Sequence, residues 1–320
     1  MKILLLLLSP GLIGLLALFL SVVWMLRDQR DRTRPILVIA LVVNLFYGFV
    51  LNVVMGREDG LVPWKYDHVL ARLDEALGVT AAMIAPFLQG GWRFPLLVIY
   101  QLMVPTMILW YMVARRRGLG AAVVRAYIVE MVTGPLLYAV VPACGPIYAF
   151  RIHWLHPPLV HPDVIRLAGM PNAFPSLHIA TATVFLFFAN GRLWRAASLA
   201  MIAGTALATI STGEHYLIDL VAGVAFGCFA AKAGYLRFKS AGLYLGIALA
   251  WSLAVRFQFQ LLMDHPGLLR SCAGLTLLAA AVAIGRQWRS EPGKEFQAES
   301  QIPLKIQVAE QRVKSIVANG

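Results

Sequence analysis

Two short segments carry histidines in settings where an imidazole can react. In the first, Pro175-Ser176-Leu177-His178, a proline and a serine precede a long uncharged run. Proline suits the first turn of a helix, where its missing N–H would have no partner anyway. The free amides of that turn and the helix dipole together make an anion site, and His178 falls inside it. In the second segment, Ser211-Thr212-Gly213-Glu214-His215, the histidine is followed four residues later by Asp219. On a helix the two share a face. A carboxylate so placed accepts one imidazole N–H, fixes the tautomer and leaves the other ring nitrogen free to attack. Each feature alone has a plainer reading, a polar residue at the end of a span or a structural hydrogen bond. Chemistry becomes the better reading only if the two segments meet.

Whether they meet depends on the elements that carry them. Of the 320 residues 59% are hydrophobic and 14% charged, against about 25% charged in soluble domains. Uncharged stretches reach the roughly 20 residues that a membrane-crossing helix needs. The reading is all-α: a polytopic membrane helix bundle of about nine transmembrane helices, at 3–26, 35–56, 94–114, 119–141, 174–190, 193–211, 215–231, 241–263 and 267–285. The leucine-rich start is longer than the apolar core of a signal peptide and reads as the first span.

The net charge of +12 is no sign of a nucleic-acid partner here. The basic residues gather in alternate loops, Arg27 to Arg34, Arg115 to Arg117, Arg192 and Arg195, Lys232 to Lys239, and the tail beyond 286. By the positive-inside rule those loops face the cytoplasm. The loops at 142–174 and 212–214 then face outward, which puts His178 and His215 at one depth on one side. The expected setting is the plasma (inner) membrane, with an extracytoplasmic site and a cytoplasmic C-terminus.

Two further segments stand out. In 66–77 the apolar Tyr66, Val69, Leu70, Leu73 and Leu77 share a face and Asp67, Arg72, Asp74 and Glu75 the other, which predicts an interfacial helix with its charges in water. The tail 287–320 is polar and poor in aromatics, so it is expected to be mostly disordered. The chain divides into N-terminal helices 1–56, a catalytic membrane domain 57–235, C-terminal helices 236–286 and the tail.

The run "MPNAFPSLHIATAT…STGEHYLIDLVAG", with "CGPIYAF" upstream, resembles the type 2 phosphatidic acid phosphatase superfamily. Within it, the run is similar to the inositol phosphorylceramide synthase-like branch, an inositolphosphotransferase family. The resemblance spans roughly residues 66–235. It implies a six-helix core and a metal-free lipid phosphatase or phosphotransferase working through a phosphohistidine. By position, His215 is then the nucleophile, Asp219 its orienting partner, and His178 the general acid. Ser176 and Gly213 help to hold the phosphate. The substrate is a lipid phosphate and the acceptor is water or another lipid, which extends the chemistry to phospholipid and sphingolipid metabolism.

The match is incomplete. The superfamily's third motif opens with Ser-Arg, where this chain has Ala208 and Thr209. "RDQRDRTRP" at 27–35 fits the first motif's K-x6-R-P only loosely and lies on the inner side. Arg151 and Arg166, in the outer loop before Pro175, are the natural replacements for neutralising phosphate. His153, His156, His161 and Asp163 are interrupted by prolines and are not expected to hold a metal; no cofactor is called for. Glu130, midway along a span, is a functional suspect, though a hydrogen bond to a neighbouring helix is the preferred reading. A rival function uses His178, His215, Asp219 and Glu130 as a transporter's proton relay; a non-catalytic lipid-binding relative is the third.

Overall fold

The computed structural model describes residues 9–27, 35–39, 41, 42, 53, 55–57, 61–88, 90–157 and 163–290. Positions 40, 43–52 and 54 of the predicted second span, His161 and the tail beyond 290 lie outside the described residues.

Among the described residues helices dominate, and the one sheet is a two-stranded antiparallel ladder. Helix α1 is Pro10–Arg27. Strand β1 (Trp64–Lys65) precedes α2 (Asp67–Leu77) and α3 (Ala81–Leu88). Next come α4 (Arg93–Gln101), α5 (Met103–Arg115), α6 (Gly120–Val140) and the single turn α7 (Pro146–Phe150). Strand β2 (Ile165–Arg166) pairs with β1. Helices α8 (Leu177–Phe188), α9 (Gly191–Thr212), α10 (Leu217–Gly234) and α11 (Phe238–Phe257) follow. The short α12 (Phe259–Asp264) and the long α13 (Pro266–Arg289) complete the order.

Six of these helices are long and apolar enough to cross a membrane, seven if α4 and α5 count as one span bent by 52°. The protein is a multi-pass membrane helix bundle. The predicted fifth span is the exception in length. As α8 it has 12 residues, about 18 Å at 1.5 Å per residue, well short of the ~30 Å hydrocarbon core.

Helix α10 runs through the middle and is buried on nearly all sides. It packs on α8 because two glycines one turn apart leave no side chain between the backbones. A Cβ on Gly223 would lie 2.6 Å from the Ser176 carbonyl oxygen, and one on Gly227 2.4 Å from that of Ala180. Close approach through small residues is how helices associate where water gives no hydrophobic drive. The main core, from Tyr111 and Tyr127 to Phe185 and Phe226, fills the space between α5, α6, α8 and α10. A second cluster, with Leu70, Phe150, Phe174 and Tyr216, lies at the histidine end.

One expectation is corrected there. Helix α2 forms where the periodicity places it and ends at Gly78, whose φ of 83° suits a glycine. Its Asp67 and Asp74 do not face water, however: they are 0% and 2% exposed. Cys144 and Gly145 supply amide donors to Asp67, and Leu217 and Ile218 at the start of α10 supply them to Asp74.

Candidate active site

The two histidine segments meet. The His178 and His215 rings lie 5.7 Å apart between centroids, inclined at 70°. Tyr100, from the end of α4, stacks on the other side of His178 at 4.5 Å. The close α8–α10 packing brings them together, since His178 is in the first turn of α8 and His215 two residues before α10.

Helix α8 begins at Leu177, so Pro175 lies one residue before the N-cap and not in the first turn where the sequence reading placed it. Ser176 is the N-cap, its Oγ accepting the Ile179 amide at 3.4 Å, while its own amide donates to the Asp219 carbonyl at 3.1 Å. Helix geometry gives the Leu177 and His178 amides no intrahelical acceptor in that first turn. Gly213 is the left-handed cap of α9, with φ 72°; a Cβ there would meet Trp154 at 2.9 Å and Ile147 at 3.1 Å. It turns the chain sharply so that His215 points back into the bundle.

His215 is 3% exposed. Its Nδ1 lies 2.8 Å from the Ala173 carbonyl oxygen and 3.4 Å from Asp219 Oδ2. The carbonyl cannot donate, so Nδ1 carries the hydrogen and Nε2 keeps its lone pair. The backbone just before α8 is thus the nearer orienting group and Asp219 the second. Asp219 Oδ2 also accepts the Tyr216 amide at 2.8 Å, which closes the first turn of α10; its Oδ1 has no partner.

Residues that the sequence reading left in water hold this arrangement. Asp74 accepts the Leu217 amide at 2.8 Å and the Ile218 amide at 3.1 Å. Asp67 accepts the Cys144 and Gly145 amides, and the Tyr216 hydroxyl at 2.9 Å. Burial pushes the Asp67 carboxyl up to about 6, although these donors and Lys65 pull it back. Burial likewise raises Asp74 well above the usual carboxylate range, opposed by the Leu217 amide. Asp67 and Asp74 are seven residues apart, two turns on one helix face, and that shared face was the available signal. Tyr100 gave none, because an aromatic residue in an apolar span reads as core.

A cavity of about 360 Å³ adjoins His178, lined by Tyr100, Asn172, Met103, Met107, Met131 and Glu130 among others. Glu130 is buried; its Oε1 accepts the Thr181 hydroxyl, one turn below His178, and its Oε2 has no partner. Arg151 and Arg166 are exposed, the first with φ 52° at the start of a 3-10 turn, the second on β2. Neither is among the residues lining the His178 cavity. His153 and His156 are exposed as well. Among the described residues no group of three or more His, Cys, Asp or Glu side chains is placed to hold a metal ion.

Two imidazoles thus converge beside the start of α8 within a membrane bundle. The chain belongs to the PAP2 superfamily, whose family model matches residues 68–233. No curated protein matches it, and no solved structure does. Membership makes this a phosphatase- or phosphotransferase-type membrane enzyme acting on lipid phosphates.

Proposed function

We propose that the protein hydrolyses a lipid phosphate, or transfers a phospho-headgroup such as phosphoinositol to a lipid acceptor, through a phosphohistidine on His215. The observation that carries this reading is the 5.7 Å approach of the two rings, with the His215 Nδ1 hydrogen held by the Ala173 carbonyl. That hydrogen bond leaves Nε2 as the nucleophile.

The phosphate oxygens would sit at the Leu177 and His178 amides, aided by the Ser176 hydroxyl and the Gly213 turn. His215 Nε2 attacks phosphorus, and the bond from phosphorus to the lipid oxygen breaks. A protonated His178 gives its proton to that leaving oxygen. In the second step His178 takes a proton from water or an acceptor hydroxyl. The resulting oxygen nucleophile displaces His215. Asp219 stabilises the cationic imidazole in between. Arg151 and Arg166 are the candidates for neutralising the phosphate, the outer loop closing over it to bring them in. The methionine-lined cavity beside His178 suits part of a lipid chain, since methionine adapts to irregular apolar shapes. The site would face the extracytoplasmic side of the plasma (inner) membrane, with the C-terminus in the cytoplasm.

The test is direct. Purified protein in detergent with EDTA is given labelled phosphatidate, a prenyl diphosphate, and a phosphoinositide with ceramide. Released phosphate identifies a hydrolase and a labelled new lipid a transferase. Both signals should vanish in His215→Ala. Equal behaviour of wild type and His215→Ala would remove the proposal and leave the proton-relay reading, which Glu130's place in the His178 cavity supports.

A further inference from the structure

We propose that the end of the bundle opposite the histidines holds a second anion site, which takes the phosphate of a phospholipid or free phosphate. A cavity of about 500 Å³ lies there, between the last turn of α10, the first turn of α11 and the last turn of α13. Lys232, Arg237 and Arg286 line it, and no acidic residue does.

Ordinary positive-inside residues do not account for this cluster. Such lysines and arginines extend their charge to the surface along flexible stems. Lys232 is instead 6% exposed, its ammonium 4.9 Å above the Phe187 ring. A buried cation beside two others is costly unless an anion compensates it. Gln287, 2% exposed, is the second sign. Its Oε1 accepts the Arg237 guanidinium at 3.2 Å, while its Nε2 has no partner. The first turn of α11 also lacks a side-chain cap, so its amides are open at the same place, where Ser240 lines the cavity. Ammonium, guanidinium, amide and free helix N–H groups together form a donor set for a phosphate.

The site is separate from the reacting histidines. From Leu217 to Lys232 along α10 is about 22 Å at 1.5 Å per residue.

Delipidated full-length protein, as wild type and as His215→Ala to keep turnover out, is titrated with three probes. These are inorganic phosphate, dioleoylphosphatidylglycerol in mixed micelles, and dioleoylphosphatidylcholine. The unfolding midpoint and lipid retained by native mass spectrometry are followed. Phosphatidylglycerol should raise the midpoint and leave one retained copy in both proteins. Lys232→Met and Arg286→Gln should each weaken the apparent affinity at least tenfold. A rise with inorganic phosphate alone assigns the site to the free ion, and a rise with the lipid only assigns it to the headgroup. Should phosphatidylcholine do as well, should neither anion bind, or should Arg286→Gln respond like wild type, the proposal is wrong. Arg286 is exposed, so that variant decides the matter even if Lys232→Met does not fold.

Discussion

Asp74 and Leu217, 143 residues apart, are joined by a 2.8 Å hydrogen bond from the Leu217 amide to the Asp74 carboxylate. With the Ile218 amide on the other oxygen, this carboxylate does for α10 what an N-cap residue usually does from within the chain. The helix carrying Asp219 is therefore positioned by α2. Asp74→Ala should cost about 2 kcal/mol of stability and reduce turnover by displacing His215. Asp74→Asn, which keeps one acceptor, should lose about half as much. Thermal unfolding in detergent checks both; equal stability of all three proteins would contradict the cap.

The two histidines are separable by leaving group. His215→Ala should lower kcat by about 10³ or more on every substrate, because it removes the attacking atom. His178→Ala should cost about 10² to 10⁴ on an alkyl phosphoester. On a p-nitrophenyl ester, whose leaving group needs no proton, the loss should be much smaller. The same loss on both esters would mean that His178 is not the acid.

Asp67 makes the fold sensitive to pH. Its folded value of about 6 lies above the usual 3.8, so the folded state binds the proton more tightly than the unfolded one. The stabilisation is complete below about pH 4 and is lost as pH rises through 6, a swing of about 3 kcal/mol at 1.36 kcal/mol per unit. The unfolding midpoint should therefore fall between pH 4 and 7 at a slope that Asp67→Asn flattens. Asp74 acts with the same sign, so the difference between the two proteins is the measurement. An unchanged slope in Asp67→Asn would refute the assignment.

Gly227 governs how closely the histidine helices approach. Alanine there would put its Cβ 2.4 Å from the Ala180 carbonyl oxygen, forcing α8 and α10 apart. Gly227→Ala should cost about 1–3 kcal/mol and most of the activity. Gly246→Ala, where nothing lies within 4 Å of the new carbon, should be neutral or slightly stabilising. Similar behaviour of the two variants would show that the contact is not limiting.

The membrane bundle, most span positions and the meeting of His178 with His215 could be read from sequence, because uncharged runs and alternating basic loops act locally. The roles of Asp67 and Asp74 could not. An amphipathic helix looks the same whether its charged face meets water or a distant backbone, and only the placing of Cys144, Gly145 and the start of α10 decides between them. The Ala173 carbonyl was equally hidden, since backbone acceptors leave no mark on residue type. Gly223 and Gly227 did leave one, four residues apart, in the form that marks close helix contact. No arginine is among the side chains lining the His178 cavity, so the sequence reading of Arg151 and Arg166 as replacements for the absent motif arginines stays a proposal.

The brevity of α8 has a consequence for where its two ends can lie. At 12 residues, about 18 Å, it falls short of the ~30 Å hydrocarbon core, so only one of its ends can reach a membrane surface. If the proposed chemistry holds, that end is the first turn with His178, and the Phe188 end stops within the bundle, held there by neighbouring helices and not by water.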